Sequence, residues 1–198
     1  MPPKNLKMLT RINQWIFKQL GWTVDTQVPS ELTRCVVIAA PHTSNWDFYY
    51  TLTAFSIFGM KIRFTIKREW MKFPFGIITK PLGGIAIDRR TNSQTGERKS
   101  YVEAMAELFS TQKKLVLVIT PEGTRSKRTE WKTGFYHIAT TAKVPICLGY
   151  VDYKAKKAGI GKTLYPTNFE ADMKEIMNFY QGISGKFPEN FSVDTRYV

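Results

Sequence analysis

Two short apolar runs, each followed directly by polar residues, constrain the fold of this chain most strongly. Residues 35–40 (CVVIAA) precede the segment PHTSNWD at 41–47, and residues 115–119 (LVLVI) precede PEGTRS at 121–126. Continuous apolar runs of this length are typical of strands that are buried on both faces. Because open α/β sheets bind ligands at the ends of their strands, the two polar segments predict an active site at one edge of such a sheet.

The rest of the sequence alternates predicted strands with predicted helices. Further strands are expected at 61–66, 84–88 and 145–152, with a hairpin at 153–166, and helices at 4–20, 45–59, 97–112, 133–142 and 169–182, with a helix and turn at 68–80. This alternation indicates an α/β fold, a single domain whose mainly parallel sheet is covered by helices on both faces. We divide the chain into an N-terminal amphipathic helix with its linker at 1–30 and a globular domain at 31–198.

The charge balance favours a polyanionic partner. The 198 residues carry 29 Lys and Arg against 16 Asp and Glu, a net charge of +13. Nucleic acid, an anionic membrane surface and an acidic carrier protein are the three classes that such a charge favours. Residues 61–90 hold eight basic residues and two acidic ones. This segment suits an acidic carrier, a lipid headgroup layer, or simply a solvated face.

The two cysteines and the apolar content bear on the compartment. Cys35 and Cys147 both lie in apolar runs, so we interpret them as small buried residues rather than a disulfide or metal pair. A reducing, cytoplasmic compartment fits that interpretation. No segment approaches the roughly 18 apolar residues of a membrane-spanning helix, and the basic N-terminus lacks the continuous hydrophobic centre of a signal peptide.

Residues 4–20 predict an amphipathic helix that lies in a membrane surface. At 100° per residue its basic residues share one side and Leu9, Ile16 and Leu20 share the opposite side, with no acidic residue in the segment. A helix of this kind buries its apolar face in the lipid and keeps its lysines among anionic headgroups. The alternative is a helix docked on the protein's own core. Both hold if only part of the apolar face is covered.

His42 and Asp47 form a candidate acid–base pair. A histidine before a helix and an aspartate in the first turn can reach each other, and the carboxylate then fixes the imidazole tautomer. No G-x-S-x-G nucleophile motif is present, which favours a base that activates the substrate's own hydroxyl over a covalent enzyme intermediate. Taken alone, the pair is more simply interpreted as a helix-capping aspartate beside a surface histidine.

The segment Glu122-Gly123-Thr124-Arg125 is a candidate anion site. Its glycine permits close backbone approach, its threonine supplies a hydroxyl donor, and its guanidinium can grip a phosphate through two parallel hydrogen bonds. The alternative is a polar turn in which the charged side chains pair with neighbours.

Together these segments resemble the glycerolipid acyltransferase family, typified by the 1-acylglycerol-3-phosphate acyltransferases. Its H-x-x-x-x-D motif is matched by His42 and Asp47, and its P-E-G-T-R-S block by 121–126. A glycine, apolar residues and an Asp-Arg pair follow the family pattern at 84–89, Val-Pro-Ile at 144–146, and the lysine-x-glutamate and Pro-Phe-Gly segment at 67–76. The ordered set spans residues 35–150, nearly all of the expected core.

The resemblance implies an acyltransferase domain at 31–198 and a direct transfer. His42 would be the general base and Asp47 its orienting partner, and Val144–Ile146 would pack beside the acyl channel. The acceptor's phosphate would be bound by Glu122, Gly123, Thr124, Arg125, Arg89 and Lys67. The donor would be acyl-CoA or acyl carrier protein, and the acceptor a lysophospholipid, with 1-acylglycerol-3-phosphate as default and other lysolipids open. No metal or further cofactor is expected, and the protein would work peripherally at the cytoplasmic face of the membrane.

Two other functions account for less of the sequence. A nucleic-acid-binding module would explain the charge and the mixed aromatic and basic residues at 61–75, but neither polar segment, so nucleic acid is not the expected partner. A lipid-binding protein that has lost catalysis would share the fold. The intact His42 and Asp47 pair argues against it.

Overall fold

A computed structural model describes residues 4–25, 32–66, 68–86 and 100–198. Within these ranges the chain forms seven strands: β1 Thr23–Asp25, β2 Arg34–Ala39, β3 Ile62–Ile66, β4 Gly84–Ala86, β5 Leu115–Ile119, β6 Ile146–Asp152 and β7 Lys157–Leu164. It also forms six α-helices: α1 Lys4–Gln19, α2 Asn45–Ile57, α3 Gly76–Thr79, α4 Tyr101–Thr111, α5 Gly134–Ala142 and α6 Phe169–Gln181. Short 3-10 turns lie at Arg68–Met71, Pro188–Asn190 and Thr195–Tyr197.

The strands form one sheet in the order β1-β7-β6-β2-β5-β3-β4. Every neighbouring pair is parallel except β6 and β7, which are antiparallel. The mainly parallel sheet predicted from the sequence is therefore confirmed. Strands β2 and β5 are neighbours in register, with Ile38 opposite Ile119. The two polar segments that follow these strands consequently begin at the same edge of the sheet.

Helices cover both faces of the sheet, as the continuous apolar runs predict. Alternate residues of the central strands point to opposite sides. Leu115 and Leu117 pack in the core formed with α4, α5 and α6, whereas Val116 and Val118 pack in the core beneath α2. Cys35 and Cys147 are fully buried on the α2 side.

Two elements differ from the sequence prediction, and the end of a third lies outside the described residues. The hairpin expected within 153–166 uses β6 as its first strand, so its turn lies at 153–156 and β7 is its second strand. Strand β1 was not predicted, because three residues with one apolar side chain carry no periodic signal. Strand β4 is described as far as Ala86, and the expected end at 87–88 lies outside the described residues.

The predicted N-terminal helix is present and packs against α2. Phe17 is 2% exposed in a cluster with Trp22 and Ala54, and the Thr10 hydroxyl lies 2.9 Å from that of Ser56. Part of the helix is thus docked on the protein's own core, while Ile12, Trp15 and Leu20 are exposed. Contact of this helix with a membrane stays a prediction. In the part of the chain that the structure describes, no helix is long and apolar enough to cross a bilayer.

Candidate active site

The loop between β2 and α2 is fixed by a capping box. Ser44 is the N-cap of α2, and its hydroxyl oxygen accepts from the Trp46 amide at 3.2 Å. Asp47, in the first turn, accepts in return from the Ser44 amide at 2.7 Å. This reciprocal pairing satisfies amides that a helix start otherwise leaves without partners. It sets the position of His42, which lies two residues before the cap.

Asp47 is both a cap and a neighbour of the His42 ring. Its Oδ2 accepts from the amides of Thr43 and Ser44, each at 2.7 Å, and lies 3.5 Å from His42 Nδ1. Its Oδ1 accepts from the Tyr153 hydroxyl at 2.8 Å. Three short hydrogen bonds therefore hold the carboxylate, and the imidazole approaches it at a longer distance. Asp47 is therefore both the helix cap and the neighbour of the histidine ring, so the two interpretations of this residue are compatible.

Tyr153 is the contact that sequence reasoning missed. It lies in the turn between β6 and β7, 106 residues from Asp47 along the chain, and it has no motif around it. Burial, and then the hydrogen bond to Asp47, raise the pKa of its hydroxyl above the ordinary value. The Tyr153 hydroxyl therefore stays protonated at physiological pH and donates its hydrogen bond to Asp47.

Glu122 lies behind His42. It is 6% exposed, and its Oε1 accepts from the His42 backbone amide at 3.0 Å. Its Oε2 is buried with no hydrogen-bond partner among the described residues. Burial raises the pKa of Glu122 from its ordinary 4.5 to about 7, and the bond from the His42 amide only partly opposes that effect. A buried carboxyl in this state takes up a proton near neutral pH.

The turn after β5 brings a glycine against a lysine. Gly123 has φ +66°, which favours glycine, and an added Cβ would lie 2.9 Å from Lys132 Nζ. The Thr124 hydroxyl accepts from the Ser126 amide at 3.3 Å, and the Arg125 side chain is exposed. The turn therefore presents a backbone without a side chain, next to two cations.

A cavity of about 880 Å³ opens beside these groups, between α2 and the sheet. At the strand ends its wall contains His42, Asp47, Gly123, Arg125 and Lys132. Farther along the strands the wall is apolar, with residues that include Val37, Phe55, Ile62, Phe64 and Val118. The arrangement suits an amphiphile, because it offers positive charge at one end and an apolar lining at the other.

The residues predicted from the sequence differ in where they lie relative to the cavity. His42 and Asp47 are adjacent, and Gly123 and Arg125 line the same cavity. The cavity-lining residues do not include Glu122, which lies beneath the His42 loop, or Thr124. Arg89 and Lys67 lie outside the described residues. Val144 and Ile146 belong to the core on the α4, α5 and α6 side of the sheet.

Lys132 is a second residue that the sequence did not single out. It follows Trp131 in the loop before α5, and its amide donates to the Pro121 carbonyl at 2.9 Å. That bond ties the loop before α5 to the PEGTRS segment and brings the ammonium group to the cavity wall. One lysine among many basic residues carries no local signal of such a role.

The aromatic residues at the start of α2 have mixed environments. Phe48 lines the cavity, Trp46 is exposed, and Tyr49 and Tyr50 pack with the cluster around Trp22. The other histidine, His137, is exposed on α5, far from these groups in the chain, and stacks on Phe169.

Comparison with known proteins places the chain in a family. The family model described as Acyltransferase matches residues 22–148, which is well over half of the chain and includes both polar segments. No curated protein and no solved structure matches the chain. The extent of the family match, together with the α/β fold just described, leads to one conclusion: the chain belongs to the glycerolipid acyltransferase family and is an acyltransferase.

Proposed function

We propose that the protein transfers a fatty acyl group from a thioester donor to the free hydroxyl of a lysophospholipid, most simply 1-acylglycerol-3-phosphate, in phospholipid biosynthesis. The observation that carries the proposal is the cavity itself, whose single wall joins His42 and Asp47 to the cations Arg125 and Lys132 and to an apolar lining. An acceptor of this class has a hydroxyl, a phosphate and an acyl chain. Each has a matching region in the wall.

His42 acts as the general base in this mechanism. With Nδ1 turned to Asp47, the tautomer that donates to the carboxylate leaves Nε2 able to take the proton of the acceptor hydroxyl. The hydroxyl oxygen attacks the thioester carbonyl carbon, and the carbon–sulfur bond then breaks. The thiolate leaves with its electron pair and receives the proton from His42. No covalent enzyme intermediate, metal or further cofactor is needed.

The acceptor phosphate is held by Arg125, with Lys132 and the backbone at Gly123 beside it. A guanidinium offers two parallel donors to a phosphate, and a glycine lets the backbone approach closely. Arg89 and Lys67, which the family resemblance adds to this group, complete the proposed anion site. Glu122, which lies under His42 rather than in the wall, supports the loop through the His42 amide.

The apolar part of the cavity accepts acyl chains, and the enzyme works peripherally at the cytoplasmic face of a membrane. The donor is acyl-CoA or acyl carrier protein, since both are polyanionic thioesters. Exposed basic residues in and beside β3, including Lys61, Arg63 and Arg68, would attract either donor at low ionic strength. Measuring kcat/KM for acyl-CoA and for acyl carrier protein over a series of salt concentrations distinguishes the two donors. Identical values of kcat/KM with identical salt dependence would remove the case for the carrier protein.

The central experiment measures phosphatidate formation from 1-acylglycerol-3-phosphate and acyl-CoA by mass spectrometry. His42→Ala should lower kcat/KM by about 10²–10⁴ while the protein stays folded by circular dichroism, because the general base is lost. The matched control is His137→Ala, on the exposed surface of α5, which should behave as the parent. Near-parental turnover of His42→Ala would overturn the direct-transfer mechanism. A parent that acylates other lysolipids but not this one would reassign the acceptor.

A further inference from the structure

The segment 68–82 exposes an unusual number of large apolar side chains. Phe73 is 85% exposed, Ile77 67% and Ile78 64%. With three further exposed residues they form what we call the 70–82 patch: Trp70, Phe73, Phe75, Ile77, Ile78 and Leu82. Single exposed apolar residues are ordinary on protein surfaces, but a group of this size within thirteen positions marks an interaction surface.

The fold of the segment holds these side chains outward. The rings of Trp70 and Phe75 pack with centroids 4.7 Å apart, and the Thr79 hydroxyl donates to the Trp70 carbonyl at 2.8 Å. Gly76 is buried, and an added Cβ would overlap the carbonyl oxygen of Met71. The 3-10 turn and α3 are therefore packed closely on each other. Phe73, Ile77 and Ile78 lie on the outside of a formed element.

Exposed basic residues occur within the patch segment and in the strand that precedes it. Arg68, Lys72 and Lys80 are exposed within the segment, where the acidic residue is Glu69. Lys61 and Arg63 are exposed on the adjoining β3 strand and the residue before it. Large apolar groups mixed with lysines and arginines match the surface of an anionic bilayer, which offers acyl chains just below negative headgroups. Tryptophan at such a boundary favours the interfacial layer.

The patch is continuous with the active-site cavity. Trp70, Thr79 and Leu82 line the cavity, and Trp70 and Leu82 are also exposed. A lipid that meets the patch is therefore already at the cavity wall. A carrier protein would be recognised through the charges and would leave Phe73, Ile77 and Ile78 without a role. A bilayer gives a role to both kinds of side chain.

We propose that the 70–82 patch inserts into the surface of an anionic bilayer and brings the opening of the active-site cavity onto the membrane. The inference rests on the proposed function, in which the acceptor and product are membrane lipids, and adds the surface through which they are exchanged. Helix α1 and the residue after it also expose apolar side chains, Ile12, Trp15 and Leu20, but none of them lines the cavity.

The test is sedimentation of the full chain with vesicles of phosphatidylcholine alone or mixed with phosphatidylglycerol. The parent should bind the mixed vesicles in a salt-sensitive way. The double variant Phe73→Ser/Ile77→Ser alters no cavity-lining residue. It should bind at least about tenfold more weakly, because two apolar side chains that would be buried in the lipid are lost. The matched control Tyr165→Ser removes a side chain that is 69% exposed outside the patch and should bind like the parent.

Several outcomes would overturn the proposal. One is a parent that does not bind mixed vesicles, and another is a patch variant that binds as the parent does. A third is a result in which the double variant Ile12→Ser/Trp15→Ser no longer binds vesicles while the patch variant still binds them. That result would make α1 the membrane anchor. A patch variant that keeps vesicle binding and loses affinity for acyl carrier protein would make the surface a carrier dock instead.

The kinetic arm separates this inference from the proposed function. With short-chain donor and acceptor dispersed as monomers, the patch variant should turn over like the parent, whereas with acceptor embedded in vesicles its rate should fall in step with binding. Vesicle binding that depends on the patch, in a parent without acyl transfer, would support the surface and refute the function. The opposite result is a parent that transfers acyl groups and a patch variant that is equally active on acceptor embedded in vesicles. It would support the proposed function and refute the role of the patch.

Discussion

Asp47 and Glu122 are two buried carboxylates at the ends of neighbouring strands, and their surroundings differ. Three short hydrogen bonds converge on Asp47, from two backbone amides and the Tyr153 hydroxyl. One reaches Glu122, from the His42 amide, and its second oxygen has no partner among the described residues. The same chemical group is thus fixed in orientation at one position and left able to take up a proton at the other.

The two carboxylates therefore control different parts of His42. Asp47 lies against the ring, at 3.5 Å from Nδ1, and so acts on tautomer and orientation. Glu122 holds the main-chain amide and so acts on where the loop lies. Substitutions at the two positions should therefore separate catalysis from stability. Four experiments, at these positions and at two of their neighbours in the site, test that separation.

The largest expected effect is that of Asp47→Asn. The amide keeps one oxygen for the backbone donors and can donate to Tyr153, so the fold should remain, but the imidazole loses the carboxylate that orients it. We expect kcat/KM to fall by about 10²–10⁴ with an unchanged circular dichroism spectrum. Because His42 and Asp47 act as one unit, the double variant with His42→Ala should be no worse than His42→Ala alone. Additive losses would show that Asp47 works independently of the ring.

Glu122→Gln should act on stability rather than on chemistry. The folded-state pKa of Glu122, about 7, lies above its ordinary 4.5, so the parent's stabilising contribution from this group is complete below pH 4.5 and is lost as pH rises through 7. The unfolding free energy of the parent relative to Glu122→Gln should fall by up to about 3 kcal/mol over that interval.

Urea unfolding of both proteins from pH 4 to pH 8 measures this difference directly. Groups common to the two chains cancel, including Asp47 and Tyr180, which lie near enough to influence Glu122 or be influenced by it. A difference that stays flat across the range would mean that Glu122 keeps an ordinary pKa in the folded protein. The comparison with Asp47 would then lose its basis.

Arg125→Lys tests the ligand-facing side of the same turn. Lysine keeps the charge and loses the two-pronged donor, so the KM of the acceptor should rise by about tenfold with a smaller change in the KM of the donor. Arg128→Lys is the matched control, since Arg128 is exposed in the same loop and does not line the cavity. Equal changes for donor and acceptor would contradict the assignment of Arg125 to the phosphate.

The smallest effect should come from Tyr153→Phe. It removes the hydroxyl that donates to Asp47 and keeps the ring packed against Trp22 and Tyr50. One lost hydrogen bond is worth about 0.5–1.5 kcal/mol, so kcat/KM should fall less than about tenfold and the unfolding free energy by a similar small amount. A loss as large as that of Asp47→Asn would give Tyr153 a part in the chemistry itself.

The sequence predicted the elements whose signals are local. Strand β5 was predicted with its observed bounds because five apolar residues stand between polar ones, and the start of α2 was predicted because Ser44 and Asn45 are both residue types that cap helices. The position of both polar segments at one sheet edge followed from strand type alone. These features depend on residues that are neighbours in the chain.

The missed features depend on contacts between distant residues. Nothing near Tyr153 indicates that its hydroxyl reaches Asp47, and nothing in PEGTRS shows that the glutamate is buried while the arginine is exposed. The edge strand β1 is too short to have a period. Residues 68–80 were expected to be helix and turn, but which of their side chains point outward depends on how the two short pieces pack.

Strand β1 gives the first 25 residues a further importance. Val24 pairs in parallel with Ala158 of β7, and the ring of Trp22 stacks on that of Tyr50 with centroids 4.1 Å apart, so this segment is the edge of the sheet next to the eight-residue strand β7. A protein that begins at residue 26 would therefore leave the backbone of residues 157–159 without this partner strand, and exposed strand edges recruit other chains. A shortened version designed for crystallography should aggregate, and a usable one would keep residues 22–25.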